Sequence, residues 1–571
     1  MIIIGKNIEF FRQNSGDTES FVSRCWKIFA GLSKQDVLVG LILSSLMINI
    51  LGLILPFTII QMYDRVIPNK SYNTFIAFIL IVIVALIVEA ILKIMRGFVS
   101  SLLDIKLSCL MSLHAYKSAT NADLLAFERN PFSVQIDRFN LINILKEYYS
   151  GQYFIVMCDA PFLLIYFLFI YCINFYVGIT VTVVSLILLA ISCLHVAKFK
   201  INQTQQTKTI QIVSKFLVEL LGGIGTIKAI GLEEQMLRRY EKLQKNNIKK
   251  EFDFIQEKMS SNKNIAIVGQ FMVMVTVIVS CLMIFEERMS VGGMAACILL
   301  SGKVMQPIAN LISLLLRWNN FELADREFGQ LLTIKSEHNK EQNIKIIEGE
   351  IVLNNIDFSH IDQNGNKIPI LLHANLTIPA KQMVAIHGDK LSGKSTLINI
   401  LGCLYKIEEG NFFIDGQDVN LGNLDYIRNQ IAFICQEPYC FQGTILENLT
   451  RFNDVAFEKV QQCCLEIGLH QFIQAMPNGY QTIIGIDAND FLTPNIKQYI
   501  LIARELIKDP KIILLDESNI NIDLETELVL RHIINLKKGK TTIVIISHKQ
   551  SLLKLADQHC YIKKQHIIKN D

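Results

Sequence analysis

Six apolar stretches constrain this 571-residue chain more than any other feature of it. They lie near Val37–Ile60, Thr74–Ile94, Tyr153–Ile173, Val177–Val196, Ile265–Phe285 and Met294–Leu315. Each approaches the roughly 20 residues that a helix needs to cross a hydrocarbon layer of about 30 Å. Buried helices of a water-soluble core would be shorter and fewer. A hydrophobic content of 51% and a mean hydropathy of +0.35 point the same way. The lipid bilayer is therefore the first expected partner. No basic-then-apolar signal opens the chain, since Met1 to about Gln35 is mixed and polar, so the first span itself must direct insertion.

The spacing of the spans carries topology. Spans two and three stand about 58 residues apart and spans four and five about 68, while the other gaps are short. The second long gap carries twelve basic residues between Lys198 and Lys258, whereas the loops near Tyr63–Asn73 and Glu286–Ser290 carry few. The positive-inside bias puts both long gaps and both chain ends in the cytoplasm. Helices must then run well beyond the membrane, since about 25 helical residues reach roughly 38 Å. Glu89 and Lys93 fall at membrane depth four residues apart, close enough to pair on one helical face. Asp159, just before Pro161, either lines a pathway or is paired at the interface.

From about Gly329 the character changes. Ser336–Asn343 is a polar connector, and beyond it apolar strand-like runs alternate with helical patterns, which predicts an α/β domain with a largely parallel sheet. Gly388-Asp389-Lys390-Leu391-Ser392-Gly393-Lys394-Ser395-Thr396 follows the apolar run Met383–Ile386 and precedes Leu397–Leu401. It matches G-x-x-x-x-G-K-[ST] in a strand–loop–helix setting. The glycines let backbone N–H groups face a polyphosphate, Lys394 brings a cation to the β/γ phosphates, and the Ser395 hydroxyl suits Mg²⁺. Ile512–Leu515 reads as a buried strand ending in Asp516 and Glu517, placed to serve Mg²⁺ and an attacking water respectively. Thr542–Ile546 is a second such strand, leading to His548, and Gln436 follows Ile431–Ile434. His548 is placed to bond a γ-phosphate or to orient Glu517 and water, and the Gln436 amide to reach Mg²⁺ or water. The formal charge of +3 gives no argument for nucleic acid. The 13 cysteines form no C-x-x-C pair, and several lie in apolar runs, as expected of small buried hydrophobes in a reducing compartment.

Together these residues resemble an ABC transporter half. That resemblance implies a multidomain chain, with an all-α six-helix transmembrane domain of the type I exporter fold followed by an α/β P-loop nucleotide-binding domain. The expected division is a cytoplasmic segment 1–35, a transmembrane domain 36–328, a linker 329–346 and an ATPase domain 347–571. Gly388–Thr396 matches the Walker A loop, Gln436 the Q-loop, Ile512–Glu517 the Walker B strand with its catalytic glutamate, Asp523 the D-loop and His548 the switch histidine. Gly443–Asn448 looks like the exporter G-T-I-x-E-N stretch, and coupling helices are expected near Arg129–Asn140 and Thr204–Gly222. The resemblance implies ATP and Mg²⁺ as ligands, two half-transporters per assembly, and a multi-pass location in a bacterial inner membrane with the nucleotide-binding domain in the cytoplasm.

Gln61–Pro68, Asp159–Phe162 and Gly225–Glu233 further resemble the type I secretion permease/ATPases. Those export unfolded polypeptides with a periplasmic adaptor and an outer-membrane channel. The roughly 35 residues before span one are too few for the N-terminal peptidase-like domain of many relatives, so cleavage of a leader by this chain is not expected. The chain departs from the family at the signature. Leu492-Thr493-Pro494-Asn495-Ile496 stands where L-S-G-G-Q is expected, and Gly485–Asp490 lacks the family's glutamate. Pro494 has no N–H and Asn495 adds a side chain where glycines bring backbone amides to a γ-phosphate. His360 replaces the aromatic that stacks on adenine. A homodimer would thus hold two impaired sites, whereas a heterodimer with an intact partner would keep one, built on Lys394, Glu517 and His548. The alternatives are a peptide, lipid or drug exporter and a non-hydrolysing, nucleotide-sensing membrane regulator; intact Glu517 and His548 oppose the last.

Overall fold

The computed structural model describes residues 36–570, apart from 131, 150–151, 335, 338–343, 362–365, 408, 436–438, 453–454, 486–491, 517–523, 548 and 564. These residues form two compact units. The first comprises residues up to 120 and 130–334, and the second comprises 121–129 and everything from 335 onward.

The first unit is helical. Among the described residues, six helical spans are long and apolar enough to cross a membrane, in the places expected. They contain α1 (Asp36–Leu51), α2 (Tyr72–Thr120), α3 (Leu163–Ile173), α4 (Phe175–Gly222), α5 (Glu233–Phe285) and α6 (Val291–Leu332). At 49, 48 and 53 residues, α2, α4 and α5 greatly exceed a bilayer crossing. The second expected coupling segment proves to be the end of α4. The chain turns later, at Gly223, where a short helix Ile224–Ile230 bends away by 68° before Gly231 ends it in the left-handed region.

Packing uses one stripe of each helix and leaves the rest apolar and exposed, as lipid-facing surface requires. Tyr166, Ile170, Val177, Val181, Leu188, Met272, Leu300 and Ile312 form one buried cluster. Leu107, Met111, Leu145, Tyr148, Phe321 and Leu331 form another. Buried charges are paired, as they must be in an apolar setting. Lys93 Nζ reaches Glu89 Oε1 at 2.5 Å. Asp159 accepts from Arg96 Nη1 at 2.8 Å, and the same Arg96 nitrogen donates to Ser45 Oγ at 3.0 Å. Asp159 is therefore a paired residue joining three spans. In the π-helical turn Met62–Val66 that ends span one, Asp64 caps α6: its carboxylate accepts from Ser290 Oγ at 2.6 Å and from the Gly292 amide at 3.0 Å. A Cβ on Gly292 would come within 2.6 Å of Asp64 Oδ1, so a side chain there would displace the capping carboxylate.

The second unit is built on two sheets. One is antiparallel, ordered β2–β1–β4–β5, from β1 (Ile351–Ile361), β2 (Lys367–Ile378), β4 (Glu409–Ile414) and β5 (Gln417–Asp418). The other holds β3 (Met383–Gly388), β6 (Ile431–Ile434), β9 (Ile512–Asp516), β10 (Thr542–Ile546), β11 (Gln558–Lys563) and β12 (His566–Asn570), in the order β12–β11–β3–β10–β9–β6. All its pairings are parallel except β11 with β12. A third pairing joins the two-residue strands β7 (Gly443–Thr444) and β8 (Ile483–Ile484).

The continuous apolar runs of β3, β9 and β10 follow from burial on both faces. Val384, Ile386, Ile512, Leu514, Val544 and Ile546 enter the core shared with the antiparallel sheet. Met383, Ala385, Ile513, Leu515, Ile543 and Ile545 enter a second core on the opposite face. The segment 121–129 belongs to this unit. Ala122 bridges to Ser336, Asn121 O accepts from the Glu337 amide at 2.8 Å, and Leu125, on the Leu124–Glu128 helix, packs against the first core. The two carboxylate oxygens of Glu337 are then held by Arg428 at 2.7 and 2.8 Å.

Candidate nucleotide-binding site

Parallel α/β sheets place ligands at the carboxyl ends of their strands, and the phosphate loop, Asp516 and Ser547 all leave the sheet there. Strand β10 pairs with both β3 and β9, so Ala385, Ile545 and Leu515 lie side by side. β3 ends at Gly388, three residues beyond this row, while β10 and β9 end one residue beyond it, at Ile546 and Asp516.

The loop Gly388–Gly393 is closely packed. A Cβ on Gly388 would approach Ser392 Oγ to 2.5 Å and Ile562 O to 2.7 Å. Gly393 has φ +96° at the N-cap of helix α7 (Lys394–Leu401), and a Cβ there would meet Ile370 Cγ2 at 2.9 Å. Lys390 and Leu391 lie on the exposed outer side of the loop. Ser395 and Thr396 occupy the first turn of α7, where amides and helix dipole favour an anion.

Two observations fit the loop to a polyphosphate. Ser392 Oγ is buried and has no hydrogen-bond partner among the described residues. Lys394 is 8% exposed and folds back on its own loop, donating to Gly388 O at 2.9 Å and Asp389 O at 2.7 Å. Burial holds the Lys394 ammonium below its ordinary value of 10.5, with Asp389 and Asp516 opposing. A phosphate arriving here meets a partly desolvated cation whose present partners are neutral carbonyls, which a charge-assisted bond readily displaces. Ser395 and Asp516 are oxygen donors of the type that Mg²⁺ takes.

His360 lies on β1, half-exposed, edge-on to Phe358 at 5.4 Å and to Tyr405 at 5.9 Å. Tyr405 in turn stacks on Phe358 at 5.7 Å. Sequence reasoning singled out His360 and missed Tyr405, which follows α7 in the chain and reaches the site only through the fold. Gln436, Glu517, Asp523 and His548 lie outside the described residues.

The altered signature starts a regular helix. Leu492 is buried, Thr493 is the N-cap of α9 (Pro494–Leu506), and its Oγ1 accepts from the Ile496 amide at 3.4 Å. Pro494 occupies the first helical position, where its missing N–H costs the helix nothing. The substitution thus keeps the helix and removes a donor from its tip. The Gly443–Asn448 stretch also has a local explanation. Thr444 and Glu447 form a reciprocal capping box at the start of α8 (Ile445–Thr450). Asn448, 1% exposed, clasps the Phe441 backbone through both its amide atoms at 2.8 Å.

Comparison with known proteins agrees with this architecture. Residues 38–308 match the ABC transporter transmembrane region, and residues 371–519 match the ABC transporter ATPase family. The alpha-hemolysin translocation ATP-binding protein of Escherichia coli O157:H7 is 25% identical over 545 residues, covering 93% of this chain and 75% of that protein. The cyclolysin secretion/processing ATP-binding protein of Bordetella pertussis is 24% identical over 546 residues, covering 93% and 75%. The leukotoxin export ATP-binding protein of Aggregatibacter actinomycetemcomitans is 24% identical over 554 residues, covering 95% and 76%. Among solved structures, a bacterial Atm1-family ABC exporter with ATP bound superposes with a TM-score of 0.78 at 18% identity, covering 93% of this chain and 94% of that one. The chain belongs to the ABC transporters: a multi-pass membrane protein with the exporter fold, carrying its nucleotide-binding ATPase on the same polypeptide.

Proposed function

We propose that this protein is the ATP-driven membrane subunit of a type I protein secretion system, moving an unfolded polypeptide across the bacterial inner membrane. The observation that carries the reading is the extent of the likeness to toxin-translocation proteins. It runs over 93–95% of the chain, through the membrane region as well as the ATPase. In this reading residues 36–328 form the pathway, 329–346 connect, and 347–571 bind nucleotide on the cytoplasmic side. Two such halves assemble with a periplasmic adaptor and an outer-membrane channel. Gly388–Thr396 cradles the phosphates and His360 meets the base. Ser395, Asp516 and Gln436 hold Mg²⁺, which when bound neutralises charge on the β and γ phosphates. Lys394 exchanges the Gly388 and Asp389 carbonyls for phosphate oxygens. Glu517 polarises the attacking water, and His548 holds the γ-phosphate. Asp523 is the D-loop aspartate of this reading.

A second feature belongs to the same reading. Thr493 uses its hydroxyl on its own helix and Pro494 offers no N–H, so the site that this chain completes for its partner is short of donors. Hydrolysis is then slow in a homodimer, or confined to one site in a heterodimer with a partner bearing an intact signature.

The test is purification of the full chain in detergent as wild type and as Glu517→Gln. Wild-type turnover that disappears in Glu517→Gln, with a polypeptide retained by the variant in Mg-ATP, is the expected result. Retention of lipid or a small molecule instead would favour the peptide, lipid or drug exporter reading. Nucleotide binding with no turnover in any partner combination would favour the nucleotide-sensing regulator.

A further inference from the structure

The sixth span is the least apolar of the six, and its polar residues are not scattered. Leu300, Val304, Ile308, Ile312 and Leu316 of α6 are buried in the core of the first unit. The opposite face carries Lys303, Gln306, Asn310, Ser313 and Arg317, spaced three or four residues apart. Lipid does not account for such a stripe, since polar side chains at this depth turn to protein or to water. On α2, by contrast, the exposed run Ile76, Leu80, Ile83, Ile87, Ile91 and Ile94 is wholly apolar.

Asn310, Ser313 and Arg317 border a cavity of about 670 Å³, lined also by Ser100 and Asp104 of α2 and by Glu147. The charges there are matched or wet. Asp104 is met by Lys146 Nζ at 3.7 Å, and Glu147 and Arg317 are exposed. Lys303 differs. It stands 14 residues before Arg317, about 21 Å along the helix, near the middle of the span, and it is half-buried. Its ammonium has no hydrogen-bond or ion-pair partner among the described residues. Pro307, four residues on, offers no N–H, so the Lys303 carbonyl lacks its helical donor as well.

An ammonium at this depth calls for a partner that acyl chains do not supply. Lipid phosphates lie at the interface, about 15 Å from the midplane, half the thickness of the hydrocarbon layer. A second copy docked symmetrically on the stripe would set Lys303 against Lys303 and Arg317 against Arg317, a juxtaposition that like charges oppose. The complementary occupant is an anionic group passing through the membrane. An extended polypeptide brings both a carboxylate for the ammonium and an N–H for the carbonyl.

We propose that this face of α6 contacts the exported chain and that Lys303 selects segments carrying Asp or Glu side chains. The inference rests on the function proposed above and names the class of segment that binds.

The experiment uses the full chain in phosphatidylcholine nanodiscs and fluorescent unfolded peptides of Gly and Ser that carry Glu, Gln or Lys at regular intervals. Binding is read as fluorescence anisotropy without nucleotide. The wild type is expected to hold the Glu peptide about tenfold more tightly than the Gln peptide, the size of one hydrogen bond to a charged group, and less so as salt is raised. Lys303→Met brings the two peptides to the same affinity, Lys303→Arg keeps the preference, and Lys303→Glu turns it toward the Lys peptide. Affinity for a fluorescent ATP analogue stays unchanged in all three, which reports that each variant is folded. Lys303→Gln takes the place of Lys303→Met if the latter does not fold. A folded Lys303→Met protein that keeps the preference, or a wild type that binds the Glu and Gln peptides equally, overturns the inference and leaves the proposed function standing. So does a preference that vanishes when phosphatidylglycerol is added, which assigns Lys303 to lipid. Wild type that binds none of the peptides and instead retains a lipid or a small molecule overturns both.

Discussion

Lys394 turns its charge inward, on the carbonyls of Gly388 and Asp389, and Ser392 leaves a buried hydroxyl beside it with no described partner. The loop is therefore organised around an anion before one arrives. Lys394→Ala should lower ATP affinity about 100-fold, the loss of a charge-assisted contact in a partly desolvated site, with little change in melting temperature; calorimetric titration and a thermal melt check both. At the signature, the opposite substitution should gain function. Pro494→Gly with Asn495→Gly restores one N–H donor at the tip of α9 and removes the side chain beside it, and turnover per chain should rise about tenfold or more, within the range that a single transition-state donor contributes. A phosphate-release assay against wild type measures it. The phosphate loop was legible in the sequence because its chemistry is local: nine consecutive residues carry the glycines, the lysine and the hydroxyl. Arg96 as partner of Asp159 and Tyr405 beside His360 were not, because each contact is made by the fold, 63 residues apart in the first case.

Among the elements, the two sheets differ in how plainly the sequence announced them. Strands β3, β9 and β10 are unbroken apolar runs because both faces are buried. The antiparallel β1–β2–β4 sheet buries chiefly one face and is interrupted by bulges between Leu353 and Ser359, so its pattern is irregular and it passed unrecognised. The entry into β1 depends on a single carboxylate. Asp415, at the β4–β5 turn, accepts from the four successive amides of Ile347, Glu348, Gly349 and Glu350 at 2.7 to 3.0 Å. Asp415→Ala leaves those donors to water and should cost about 2 kcal/mol, read as a lower denaturant midpoint with unchanged slope. The membrane helices were the easiest elements to find and the hardest to terminate. Hydropathy marks where lipid ends, but α2 and α4 continue in polar sequence, α4 as far as Gly223, and α5 begins in polar sequence at Glu233.

At the scale of the whole molecule, the division into units does not follow a single cut in the chain. Residues 121–129 come from the gap between the second and third spans yet belong with everything from Lys335 onward. Leu125 fills part of the first ATPase core, and Asn121 and Ala122 pair with Ser336 and Glu337. A fragment of residues 335–571 should accordingly be less stable than the same unit in the full chain. A synthetic peptide of residues 119–131 should raise its melting temperature, an effect that Leu125→Asp in the peptide abolishes. Mass-action stabilisation of this kind grows with peptide concentration, which gives the measurement its internal control.

The backbone consequently crosses from one body to the other at three points, after residues 120, 129 and 334. A lone tether lets a motor swivel freely about its leash, whereas three covalent attachments leave far fewer independent motions. The three junctions fall at the end of the second span, on the segment leading to the third and after the sixth, so the chain itself ties the ATP-binding body to three parts of the membrane unit.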